Sequence, residues 1–166
     1  LDDFYFDDSH PDLPQTKGAV DWDHPGSWNC AAAVAALVEV SSTGSTQVPN
    51  YEISQNRAIG SRVFHLDGAR TLLCEGIFAP QLLQPCREAG LDPVAIWLDR
   101  PRVFNFVRRL HRDLREHRKP PRVLLQRGWQ LLLDEPELRR TALAAGFTPM
   151  SMARALAAVS DQEGRP

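Results

Sequence analysis

The sequence predicts an α/β fold with a mainly parallel sheet, and two patterns carry that prediction. Short apolar runs end in acids: Thr71-Leu72-Leu73-Cys74 leads into Glu75-Gly76, Val94-Ala95-Ile96-Trp97-Leu98 leads into Asp99, and the chain opens Leu1-Asp2-Asp3. Each reads as the carboxyl end of a buried strand, the strand of the Leu1-Asp2-Asp3 opening lying ahead of Leu1. Helical patterns alternate with them over 29–40, 80–88 and 101–117, and further helices are expected near 121–133, 135–145 and 151–159. Strands alternating with helices imply βαβ units, and in such sheets ligands bind beyond the carboxyl ends of the strands, where these acids fall.

The first helix has its start marked by Ser27 or Asn29, both favoured N-cap residues. The stretch 47–66 breaks the alternation, being polar and β-prone with turn signals at Pro49-Asn50 and Gly60-Ser61. It is expected to form an extended hairpin or flap between the first helix and the Leu72 strand. Lys119-Pro120-Pro121 makes a stiff break after a basic helix. The length favours one domain over 1–166, with 43% hydrophobic residues to fill its core.

Net charge is only -2, yet it is unevenly spread. Residues 1–30 hold seven Asp against the single Lys17, whereas 100–122 hold nine Lys or Arg against two acids. Opposed poles of this kind suit an anionic ligand held between them. Cys30, Cys74 and Cys86 are odd in number and lack CxxC spacing, which argues against a disulfide framework or zinc knuckle and for a reducing, cytoplasmic setting. No apolar run reaches the roughly 18 residues of a spanning helix, and no signal-peptide pattern occurs, so neither a membrane nor a secreted protein is expected.

Each motif has an ordinary reading beside its chemical one. The 101–117 helix sets Val103, Phe106, Val107, Leu110 and Leu114 on one side, with Arg102, Arg108, Arg109, Arg112 and Arg115 on the other. An amphipathic surface helix explains that pattern, and so does polyphosphate binding, since guanidinium forks grip phosphate bidentately. Nucleic acid fits less well, because interleaved aromatic residues are missing.

Glu75-Gly76 is either a turn or a strand-end carboxylate able to hold Mg²⁺. Asp21-Trp22-Asp23-His24-Pro25 offers Asp23 either to a polyol or to a turn, and His10 with His24 matches no metal-ligand spacing. Cys74, with no His nearby in sequence, reads as a buried small hydrophobe, and no GxSxG occurs. Nor does GxxxxGK[ST]: Ser42-Thr43-Gly44-Ser45-Thr46 lacks the Lys and follows a helix, so it is a turn.

Taken in order, Asp2-Asp3-Phe4-Tyr5, Asp21-Trp22-Asp23-His24-Pro25, Pro49-Asn50-Tyr51-Glu52 with Arg57, Cys74-Glu75-Gly76-Ile77 and Arg108-Arg109-Leu110-His111-Arg112-Asp113 resemble the uridine kinase family over roughly residues 1–119. The resemblance implies a P-loop NTPase-like, three-layer α/β/α domain whose first strand and Walker A loop precede these residues, with 101–119 as a basic lid. It implies ATP and Mg²⁺ as cofactors, a nucleoside 5′-hydroxyl as acceptor, and a place in pyrimidine salvage. Without its P-loop the chain is expected to be inactive.

On matching positions, the resemblance makes Asp2 the acceptor of the hydroxyl proton and puts Tyr5 beside the acceptor. Asp23 would bind the ribose, Tyr51 would face the base, and Glu75 would help to hold Mg²⁺. Arg109 and Arg112 would reach phosphate and acceptor. Two departures stand out. Ser54-Gln55-Asn56-Arg57 replaces a stretch in which family members close to the uridine-cytidine kinases carry a His, which leaves base preference open, and Glu116-His117-Arg118-Lys119 replaces the lid's usual Glu-Arg-Gly-Arg, so none of those four is carried over as a binding residue. A riboside, sugar or pantothenate kinase and a non-catalytic nucleotide-binding module remain open alternatives. No nucleic-acid or membrane partner is expected; family members often assemble, which leaves a homo-oligomer open.

Overall fold

The computed structural model describes residues 1–16, 18–99 and 135–163, and the expected helices over 101–117 and 121–133 lie outside them. The chain divides into two compact units, Leu1–Val94 and Ala95–Pro166. It is a mixed α/β protein.

The first unit opens with a 3-10 turn, Asp2–Phe4, followed by the short antiparallel pair β1 (Gln15–Thr16) and β2 (Ala19–Val20) and a second 3-10 turn, Pro25–Ser27. Helix α1 (Cys30–Thr43) starts where the Asn29 side chain accepts the Ala32 amide at 3.0 Å. It stops at Gly44, whose φ of 80° is the left-handed conformation that closes helices and whose amide donates to Val40 at 2.9 Å. Ala33, Ala36 and Val40 recur at helical spacing and are buried. Two alanines on that face let neighbouring backbone come close.

Strand β3 (Ser45–Glu52) pairs antiparallel with β4 (Arg57–His65), from Ser45 opposite His65 to Glu52 opposite Arg57. The expected hairpin therefore forms, but its two turn signals do different work. Pro49 sits at a register shift between Pro49 and Tyr51, where its missing N–H interrupts no regular ladder, and Gly60 lies inside β4. The reversal itself is at 53–56 and uses Asn56 at φ 49°.

Helix α2 (Ala79–Glu88) contains Pro85, which cannot donate to the Gln81 carbonyl one turn back. The Cys30 thiol supplies that bond instead, 3.8 Å from the Gln81 oxygen, and so ties the start of α1 to α2. Phe4, Trp28, Ala33, Ala36, Val48, Phe78, Leu82 and Cys86 make up the core of this unit.

The second unit holds β5 (Ile96–Leu98) and β6 (Thr148–Met150), which pair in parallel, Ile96 opposite Thr148. A helix over 135–144, α3, is part of the crossover that parallel pairing requires, and α4 (Met152–Glu163) follows β6. Arg139 of α3 meets Asp99 just past β5 at 3.5 Å.

Two expectations need correction. Among the described residues the sheets are three separate pairs, two antiparallel and one parallel, so a mainly parallel sheet is not what these residues form. Thr71–Cys74 joins no ladder: no described strand lies beside it, Leu73 is 77% exposed, and Cys74 is exposed rather than buried. An apolar run becomes a strand only when a neighbour takes up its backbone N–H and C=O groups.

Candidate active site

The opening acidic stretch is fixed from three sides within the first unit. The Leu1 nitrogen donates to the Glu75 carbonyl at 3.2 Å, and the Leu1 carbonyl accepts the Trp28 indole N–H at 3.0 Å. Further along, Asn29 donates to Phe4 at 2.8 Å and Phe6 donates to Ser27 at 3.0 Å, which brackets a bridge between Tyr5 and Trp28. Trp28 is only 4% exposed, so this is an anchored loop and not a solvated tail.

Gly76 makes the approach of Leu1 to Glu75 feasible. At φ 155° it holds a conformation that L residues rarely adopt, and a Cβ there would lie 3.3 Å from the Leu1 Cβ. Asp2 is thereby carried on a fixed backbone beside Glu75, and both carboxylates are exposed. Glu75 follows an irregular segment instead of ending a strand.

Tyr5 stands at the centre of an aromatic group. Its ring centroid lies 6.0 Å from Trp22 and 5.8 Å from Phe78, both edge to face, and 5.8 Å from the tilted ring of Tyr51. The Tyr51 hydroxyl donates to the Phe6 carbonyl at 3.3 Å. Burial first, then the nearby negative charges of Asp7 and Asp8, push the Tyr51 phenol up to about 12, so it stays neutral through the physiological range. Next to these rings lies an open cavity of about 400 Å³ lined by Tyr5, Phe6, Asp7, Ser9, His10 and Pro11.

In the Asp21–Pro25 loop the structural and exposed acids separate. Asp21 accepts from Thr16 Oγ1 at 3.0 Å and from the Asp23 amide at 3.2 Å, whereas Asp23 itself is exposed beside Trp22. His24 Nδ1 accepts the Gly26 amide at 3.0 Å and caps the 3-10 turn; His10 Nδ1 accepts the Asp12 amide at 3.3 Å, its ring 4.2 Å from Phe6. Both imidazoles therefore serve local structure.

Of the sequence-expected site residues, Tyr5 and Tyr51 meet directly, Asp2 follows Leu1, whose nitrogen bonds the Glu75 backbone carbonyl, and Asp23 adjoins Trp22, which touches Tyr5. Arg109 and Arg112 lie outside the described residues. Sequence reasoning missed Trp28, Phe78, Asp3 and Arg62, which support the site over long sequence separations. Only the alternation of β4, which puts Arg62 and core-packed Phe64 on one face, hinted at the last.

For a metal, Asp2 and Glu75 offer hard carboxylate oxygens, the donor type Mg²⁺ takes. Among the described residues no group of three or more His, Cys, Asp or Glu is arranged to hold an ion. No described helix is long and apolar enough to cross a membrane.

Comparison with curated proteins now bears on this arrangement. The chain is similar to uridine kinases. It is 27% identical over 115 residues to the uridine kinase of Haemophilus influenzae strain PittEE, covering 69% of this chain and 52% of that protein. The uridine kinases of Pasteurella multocida (27% identity, 69% and 51% coverage) and Mannheimia succiniciproducens (28%, 69% and 51%) are similar over the same length. The chain thus spans about half the length of the curated relatives it matches. No family model matches it, and no solved structure matches it.

Proposed function

We propose that this chain supplies the acceptor side of an ATP- and Mg²⁺-dependent kinase that phosphorylates a nucleoside 5′-hydroxyl on a P-loop NTPase-like, three-layer framework. The observation that carries the reading is the anchoring of the backbone just before Asp2, in the loop whose Tyr5 packs against Trp22 and Tyr51 and lines an open cavity with Phe6 and Asp7. A part-exposed aromatic face of this kind can stack a planar base. The similarity to uridine kinases supports the same reaction class.

In this reading Asp2 accepts the proton of the attacking hydroxyl, and Asp23 hydrogen-bonds the ribose hydroxyls. Tyr5 and Tyr51 orient the acceptor, with Tyr51 held neutral so that its ring presents no charge to the base. Glu75 helps to hold the Mg²⁺ that arrives with ATP, and that ion neutralises charge on the phosphates. Arg109 and Arg112 add positive charge toward phosphate and acceptor. No Walker A sequence occurs within the 166 residues, so the proposal requires a phosphate loop from outside them.

The test is an acceptor panel with radiolabelled ATP and the full-length gene product, including uridine, cytidine, purine ribosides, sugars and pantothenate. Label on a pyrimidine nucleoside is the expected result. Transfer only to a sugar or pantothenate would redirect the acceptor assignment, and absence of transfer to any acceptor would contradict a kinase.

A further inference from the structure

The β3–β4 hairpin is tied to the 1–8 loop by bonds that the reaction itself does not require. Arg62 Nη2 donates to Asp3 Oδ2 at 2.7 Å in an ion pair, while Asp3 Oδ1 lies 3.5 Å from the Tyr51 amide. The Ala58 amide donates to Asp7 Oδ1 at 2.8 Å, and the Asp8 amide to the Asn56 carbonyl at 2.8 Å. Tyr51 and Ala58 are partners in the ladder, just past the register shift at Pro49. The amides of both partners thus face carboxylates of the loop.

We infer that Asp3 and Arg62 form a latch that positions Tyr51 against Tyr5, making them positioning residues for the acceptor's base. This deepens, and rests on, the nucleoside reading of the site. Tyr5 and Tyr51 are in contact, with ring centroids 5.8 Å apart, so a planar acceptor would stack on the face the pair presents. That spacing is set by where the hairpin docks on the loop. Asp3 reaches both strands: its two oxygens face Tyr51 on β3 and Arg62 on β4. The pair is part-exposed, so its effect should be modest and specific to the acceptor.

The test compares wild type, Asp3→Asn, Arg62→Ala and the double variant in the full-length protein. Arg62→Ala should raise KM for the nucleoside about threefold to fivefold. Asp3→Asn should raise it about tenfold, since the acceptor for Tyr51 is weakened too. KM for ATP should stay unchanged and kcat should fall less than KM rises, a split that general loss of structure would not produce. The double variant should match Asp3→Asn, because both changes remove one interaction. Hydrogen exchange at the Tyr51 and Ala58 amides, measured without acceptor, should accelerate in Arg62→Ala while α1 is unaffected.

Unchanged exchange overturns the latch. Faster exchange with unchanged nucleoside KM, or multiplicative effects in the double variant, overturns the positioning role. A wild type that phosphorylates no nucleoside sinks the proposed function, and the exchange comparison then decides the latch alone.

Discussion

The Trp28 indole donates to the Leu1 carbonyl at 3.0 Å, and Trp28 is itself 4% exposed. A core residue thereby fixes the backbone immediately before Asp2. Trp28→Phe keeps most of the apolar contact and removes the bond. It should cost about 1–2 kcal/mol in urea unfolding. Turnover should drop by more than that loss of stability explains, because Asp2 loses its rigid seat.

Gly76→Ala tests the same seat from the Glu75 side. The φ of 155° and the 3.3 Å approach to Leu1 both oppose a Cβ. A loss of about 1–3 kcal/mol is expected. Gly44→Ala is the control, since nothing lies within 4 Å of its Cβ position and any cost there comes from the backbone conformation at φ 80° alone.

The phenol of Tyr51 gives a prediction in alkali. Tyr5 and Tyr51 are the two tyrosines of the chain, so absorbance near 295 nm in wild type minus Tyr51→Phe follows Tyr51. Tyr51 should ionise at about 12 against an ordinary value of 10.0, and Tyr51→Phe should remove that step. Its folded value is raised, so its contribution to stability is intact below pH about 10 and is lost as pH rises toward 12. Wild type should therefore hold a constant margin over Tyr51→Phe in thermal unfolding below pH about 10 and lose it as pH rises toward 12.

Asp23 is exposed beside Trp22, and Asp21 accepts from Thr16 and the Asp23 amide, so their variants test different parts of the loop. Asp23→Asn should raise KM for a riboside about tenfold or more and should affect a dideoxy analogue much less. Asp21→Ala should lower stability of the loop and affect both acceptors alike.

Much of this was legible locally. Asn29 and Gly44 announce the ends of α1, and the polar, β-prone stretch around Pro49 and Gly60 announces the hairpin. Thr71–Cys74 was not: its apolar pattern reads as a strand, yet it forms no ladder. That error has a physical source: the apolar pattern of a strand is written in the segment, but the partner that makes it one is not. Likewise, Trp28 to Leu1 and Asp3 to Arg62 are separated by 27 and 59 positions, and nothing in either neighbourhood specifies the meeting. The Cys30 thiol bond to Gln81 follows the same rule, since Pro85 frees the carbonyl but does not say which donor arrives.

The most direct measurement is steady-state phosphorylation of uridine by the full-length protein carrying Asp2→Asn. The substitution is nearly isosteric and leaves the backbone bonds of Leu1 in place, so folding and nucleoside KM should stay close to wild type. Turnover should fall about 10²-fold or more, the scale of losing a general base. Wild-type turnover in that variant would contradict the assignment of Asp2 as the proton acceptor.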